Sequence, residues 1–89
     1  MTRDELQNAA ELLEQAAKAA QDDEARERLE DQAAAFETLS NADRGPDHGK
    51  IARHEHILTE IAAGEGAAAE HIEAALESIR AYRSTVEGV

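Results

Sequence analysis

The apolar residues of the N-terminal half form two helical stripes that point in nearly opposite directions. Leu6 and Leu13 belong to the first stripe, and Leu29 and Phe36 belong to the second. On one straight helix, at about 100° per residue, the second stripe falls almost opposite the first. One unbroken helix would therefore face its two halves in opposing directions. We predict that the helix is interrupted at residues 21–23.

Capping residues mark the beginnings of the first two helices. Thr2 and Glu5 have the spacing of a capping box, which predicts that the first helix begins near Arg3. Either Asp22 or Asp23 can act as the N-cap of the second helix, because a side-chain oxygen there accepts a backbone N–H of the first turn. Acidic residues in that turn also interact favourably with the helix dipole.

Glycine and proline divide the C-terminal half. The Arg-Gly-Pro segment 44–46 predicts that the second helix ends near Ala42 and that Pro46 lies in the first turn of the third helix. The third helix is expected to end near Ala63, since two glycines follow in segment 64–66. The fourth helix carries an apolar series at heptad-like spacing, namely Ala68, Ile72, Ala75, Leu76, Ile79, Tyr82 and Val86.

These boundaries predict an all-α fold. We expect a four-helix up-down antiparallel bundle that occupies residues 1–89 as a single domain, because short loops favour antiparallel neighbours. Nothing indicates a strand, since β-branched residues are sparse and alternation is absent. The alternative is a dimer in which a long first helix over residues 3–42, followed by two shorter helices, covers the opposing stripes of a second copy.

The chain is strongly acidic, with 20 Asp and Glu against 9 Lys and Arg and a net charge of −11. Such a surface repels nucleic acid and anionic membranes, so we expect neither as a partner. Because no leader-like or membrane-spanning segment is evident, we expect a cytoplasmic protein. At 1 M salt the Debye length falls to about 3 Å and the repulsion is screened. The composition is typical of a halophile that keeps salt in its cytoplasm, and the alternative is an acidic helical protein of a mesophile.

Three of the four histidines lie in or near the start of the third helix. His54 falls on the apolar face that Ile51 and Leu58 define, whereas His56 projects about 200° away from His54. We therefore predict a buried or boundary His54 bonded to an acid or carbonyl of a facing helix, an exposed His56, and a His48 near the helix cap. Imidazoles that diverge in this way cannot converge on one metal ion.

A metal-binding or small-ligand-binding bundle is the first alternative function. It would use His54 together with His71, at the edge of the apolar face of the fourth helix, and a carboxylate across the bundle. The E-x-x-H motif of such bundles is absent. The glycine turn before Lys50 does not match a phosphate-binding loop. Cysteine is absent, and the paired carboxylates are typical of a solvated surface, so we expect no catalytic residue, no cofactor and no enzymatic activity.

The first helix carries an apolar face about half its circumference wide. Leu12, Ala16 and Ala19 form the outlying edge of this face. They contact either a second helix of the same chain or a protein partner, including a second copy in a homodimer. We predict a non-enzymatic bundle that acts through protein–protein association or self-association. A further alternative is an acidic mimic of nucleic acid that occupies a basic protein.

Several segments together resemble a known family. They are DELQNAAELLEQAAKAA, DDEARERLEDQA, DRGPDHGKIARH and the terminal AYRSTVEGV. Over nearly its whole length the chain resembles a family of short acidic haloarchaeal proteins of unknown function. This resemblance implies a halophilic archaeal cytoplasm, and it supplies no activity, cofactor or functional residue.

Overall fold

Four α-helices make up the fold of the computed structural model, which describes residues 3–41 and 48–87, with side chains over 4–41 and 49–84. Within these ranges no residue forms a strand, so the all-α prediction is confirmed. The helices, in chain order, are α1 (Arg3–Ala19), α2 (Asp23–Asn41), α3 (His48–Gly64) and α4 (Gly66–Glu87).

The helices alternate in direction along the bundle. The α1–α2 turn and the α3–α4 turn meet at one end, where the backbone N–H of Asp22 donates to Glu65 Oε2 at 3.1 Å. Asn8, near the start of α1, donates from Nδ2 to Ser78 Oγ, in the second half of α4, at 2.7 Å. Antiparallel neighbours therefore surround the core, as predicted for an up-down bundle, and the chain measures 39 × 20 × 19 Å along its principal axes.

The predicted interruption between the first two helices is confirmed. Asp22 is the N-cap of α2, since its Oδ2 accepts the backbone N–H of Ala25 at 3.0 Å. The alternative of one helix over residues 3–42 is wrong, because α1 has already ended at Ala19. The break allows both opposing stripes to face one core.

Arg26 of α2 stabilises the end of α1 at the same turn. Arg26 donates from Nη2 to the carbonyl oxygen of Ala20 at 2.9 Å and from Nε to that of Ala17 at 3.3 Å. Ala17 lies in the last turn of α1 and Ala20 directly follows the helix, where the helix dipole favours a positive charge. The guanidinium of α2 therefore satisfies the Ala20 carbonyl and adds a second partner to the Ala17 carbonyl, which also accepts the Ala20 N–H at 3.3 Å.

The core contains residues from all four helices. Leu6, Leu13, Leu29 and Phe36, which mark the two stripes, are all fully buried. In α4 the predicted series is buried from Ala68 through Tyr82, and the side chain of Val86 lies outside the described residues. Packing is extensive between α1 and both α2 and α4, less extensive between α3 and α4, and least extensive between α2 and α3.

The remaining helix ends are close to their predicted positions. The first helix begins at Arg3, and α3 ends at Gly64, one residue beyond the prediction. Thr2, Ala42 and Pro46, on which the other end predictions depend, lie outside the described residues.

Candidate functional site

His54 lies at the boundary between α2 and α3. Its Nδ1 is 2.7 Å from Gln32 Oε1, and its ring centroid is 5.2 Å from that of Phe36, with the planes tilted by 60°. Because the Gln32 oxygen only accepts, Nδ1 carries the proton and donates it. Burial, followed by the charges of Arg53 and Lys50, lowers the pKa of His54. The imidazole is therefore neutral at pH 7 and holds α3 to α2 through one hydrogen bond.

The prediction for His54 is confirmed in its partner, and of the two predicted positions, buried or boundary, the structure shows the boundary one. The partner is a carbonyl of a facing helix, supplied by the side-chain amide of Gln32, which is only 8% exposed. His54 itself is partly buried rather than enclosed. The reason is that position 54 lies at the α2 edge of the apolar face of α3, where the helix contact is narrowest.

The other histidines lie apart from His54. The side chain of His56 is 75% exposed and its Nε2 is 3.5 Å from Glu60 Oε2, which confirms that it faces solvent. The side chain of His48 lies outside the described residues. His71 is partly buried on α4, and in the hairpin that turns at Glu65 it is nearer the turn than His54 by about five residues, or roughly 7 Å of helix.

The predicted metal alternative therefore lacks a ligand set in the described part of the chain. There, no group of three or more His, Cys, Asp or Glu side chains could hold a metal ion. His54 directs Nδ1 at an amide of α2, and the structure does not join it to His71 through a carboxylate.

The boundary between α2 and α3 leaves apolar side chains accessible. Leu39 and Ile57 pack against the core but are only partly buried. On their helices Leu39 lies about 20° from Gln32 and Ile57 about 60° from His54, so both border the same boundary. We call Gln32, Leu39, His54 and Ile57, with Ala35 beside them on α2, the α2–α3 face.

Charges at the two ends of the α2–α3 face have opposite signs. Near the turns, Arg28 Nη2 is 3.9 Å from Glu60 Oε1, and the exposed acids Glu24 and Asp31 lie on the same side of α2. At the other end Lys50 and Arg53 are exposed. Among the described side chains, neither of these two cations forms a salt bridge.

The edge of α1 that the sequence singled out lies along α4. Ala16 is fully buried, Leu12 packs against the core, and Ala19 is partly buried. Asn8, on the same edge one turn earlier, bonds to Ser78 of α4. Ala16 therefore contributes no surface, and a role of Leu12 and Ala19 in association stays a prediction.

A groove of about 340 Å³ lies between α1 and α2. Ala17 and Ala33, each 3% exposed, form its floor, and its rim is charged. Alanine methyl groups offer no donor or acceptor that would orient a small ligand. The groove is therefore a weaker candidate for binding than the α2–α3 face.

Comparisons with known proteins place the chain in one family. The model described as "Family of unknown function (DUF7553)" matches residues 1–85. The chain belongs to this family. No curated protein and no solved structure gives a significant match. None of the described helices of this DUF7553 member is long and apolar enough to cross a bilayer.

Several contacts of this DUF7553 member are not evident from sequence reasoning. Gln32 could have been recognised as a polar residue within the stripe of α2, three positions after Leu29 and four before Phe36. The ion pair between Arg83 Nη1 and Glu55 Oε1, at 2.7 Å and largely buried between α4 and α3, carried no such signal. It depends on the relative rotation of two helices, which a spacing pattern does not specify.

Proposed function

We propose that this chain is a non-enzymatic helical bundle that acts through protein–protein association at the α2–α3 face. The observation that carries this proposal is the limited packing of α2 against α3, which leaves Leu39 and Ile57 partly exposed. Ile57 lies between the basic end at Lys50 and the acidic end at Glu60, and apolar side chains flanked by charges are the usual anatomy of a protein interface. A partner that covers this boundary would bury surface that the chain itself leaves in water.

The net charge of the chain supports the proposal that the protein functions at a high salt concentration. A net charge of −11 on 89 residues is tolerated most easily where salt screens the repulsion between carboxylates. Association through a mainly apolar face also persists in molar salt, because screening acts mainly on long-range charge repulsion and leaves apolar burial intact. We therefore place the proposed association in the cytoplasm of a halophile.

The non-enzymatic part of the proposal is supported by the surroundings of His54. Its Nδ1 bonds to Gln32 and its ring lies against Phe36. A general base needs a nitrogen aimed at a substrate, together with groups that stabilise charge in the transition state. The contacts of His54 serve the packing of α3 on α2.

A position-specific crosslink tests the proposed function. A photo-crosslinking residue replaces Ile57 on the α2–α3 face, and in a second variant it replaces Ala52, an exposed residue of the same helix. Both variants are expressed in a halophilic host and irradiated in the cells. We expect covalent protein adducts from position 57 and at least tenfold less adduct from position 52. Equal yields at both positions, or none at position 57, would contradict the proposal.

A further inference from the structure

We infer that the partner at the α2–α3 face is a second copy of this chain, related by a two-fold axis perpendicular to the helices. This inference rests on the proposed function and names its partner. The argument begins from the charges along α3. Glu60 lies toward the α3–α4 turn, where it already pairs with Arg28 and where the exposed acids Glu24 and Asp31 of α2 keep the charge negative. Lys50 and Arg53 lie toward the beginning of α3. The α2–α3 face therefore carries a negative end and a positive end.

An antiparallel second copy matches these two ends. A two-fold axis level with the middle of α3 places α3 against its own copy in the opposite direction. Lys50 of each copy then lies level with Glu60 of the other, because the two residues are equally far from position 55. Arg53 lies within one turn of the same carboxylate. Every favourable pair occurs twice, as an isologous interface requires.

Ile57 lies close to the level of the proposed two-fold axis. Ile57 is two residues from the level of the axis, so the Ile57 side chains of both copies lie within about one helical turn of each other. Since Ile57 is partly exposed in a single chain, mutual packing would remove apolar surface from water. His54 lies one residue from the same level, where its neutral imidazole adds no charge to the contact.

Charge disfavours a parallel orientation of the two α3 helices. A parallel arrangement of two α3 helices would place Lys50 and Arg53 of the two copies at the same level, and Glu60 of the two copies at the same level. Like charges in contact suppress that orientation. The long-range repulsion between two chains of charge −11 each is screened at molar salt, whereas pairs in contact are affected less.

Charge reversal with restoration tests the inference. Sedimentation equilibrium at about 1 M KCl gives the dimer dissociation constant of the full chain and of three variants. Lys50→Glu and Glu60→Lys each place like charges together twice, and we expect each to weaken the dimer about tenfold. The double variant Lys50→Glu/Glu60→Lys re-forms both pairs in reversed polarity, and we expect affinity within about twofold of the original. Circular dichroism checks that each variant is helical.

A matched control separates position from net charge. Lys18→Glu makes the same charge change at an exposed site on α1, and we expect it to alter the dissociation constant less than twofold. A chain that stays monomeric to about 1 mM overturns the inference, as does equal weakening by Lys18→Glu and Lys50→Glu, or failure of the double variant to restore affinity. If the chain is monomeric but Ile57 still crosslinks to a different protein, the proposed function stands without the homodimer.

Discussion

The two boundaries that α2 makes with its neighbours are built from different kinds of residue. Towards α1, α2 presents Ala33, which lies with Ala17 at a boundary of extensive packing. Towards α3 it presents Phe36 and Gln32, and the packing there is narrow. Small side chains let helix backbones approach closely, whereas large ones hold them apart. Residue size therefore decides how closely α2 approaches each neighbour, and the larger side chains toward α3 leave that boundary less tightly packed.

The largest effect should come from removing the Phe36 ring, which fills the α2–α3 boundary. Phe36 is fully buried and contacts the His54 ring. We expect Phe36→Ala to lower the free energy of unfolding by about 3–5 kcal/mol, through lost burial and an unfilled cavity. Urea denaturation at molar salt measures it. Leu39→Ala, at a partly exposed site of the same helix, should cost less than half as much, and equal losses would show that the boundary is not filled by Phe36.

Lowering the salt concentration should destabilise the α2–α3 boundary before the α1–α2 boundary. For a chain of charge −11 with a small core, we expect the melting temperature to rise steeply between about 0.05 M and 2 M KCl. Because α3 has the least extensive packing of the four helices, amide protection measured by hydrogen exchange should fall first along α3 as salt is lowered. A melting temperature that does not change with salt, or loss of protection beginning in α1, would contradict this expectation.

Overfilling the α1–α2 boundary tests whether alanine is required there. We expect Ala33→Leu to lower the free energy of unfolding by about 1–3 kcal/mol, since added methyl groups must push α1 and α2 apart. Ala34→Leu, at the next position but exposed, should change it by less than about 0.5 kcal/mol. Thermal denaturation of both variants provides the comparison. Similar values for the two would mean that the boundary has room to spare.

The smallest effect should be the pH dependence that His54 contributes. Its pKa is lowered in the folded chain, by burial first and then by Arg53 and Lys50. The unfolded chain therefore binds this proton more readily, and stability is lost as pH falls below about 6.5. Carboxylate protonation nearer the sequence pI of about 4.6 acts in the opposite direction, because it relieves repulsion.

A variant isolates the histidine from the carboxylates. We expect His54→Gln, which keeps a donor for Gln32, to flatten the stability profile between pH 7.5 and pH 5.5, whereas His56→Gln at an exposed site should leave the profile unchanged. Melting temperatures across that pH range measure the effect. An identical slope for the two variants would show that His54 is not the group responsible.

Helix periodicity was sufficient to predict much of the fold. The opposed stripes, to which Leu13 and Leu29 belong, required a break, and the structure has Asp22 as the cap of α2. Periodicity also separated His54 from exposed His56. It could not predict that Gln32 is the partner of His54, because that bond depends on the distance and rotation between two helices.

The candidate site was less predictable than the helices. The edge of α1 at Leu12 and Ala16 has an apolar pattern as favourable as that of Ile57, yet Ala16 is fully buried in the chain. Which edge stays accessible depends on the neighbour that each helix receives, and thus on how closely α2 approaches α3. The spacing of apolar residues along one helix does not contain that information.

Methyl NMR on dilution tests most directly whether the α2–α3 boundary is the surface of association. Leu12, Leu39 and Ile57 are all aliphatic and only partly buried in the chain, so the methyl signals of all three report on contacts near the surface. In about 1 M KCl, between about 1 mM and 10 μM protein, we predict that the signals of Leu39 and Ile57 shift with concentration and that those of Leu12 stay constant. Shifts at Leu12 without shifts at Leu39 and Ile57, or signals independent of concentration at all three residues, would contradict association through the α2–α3 face.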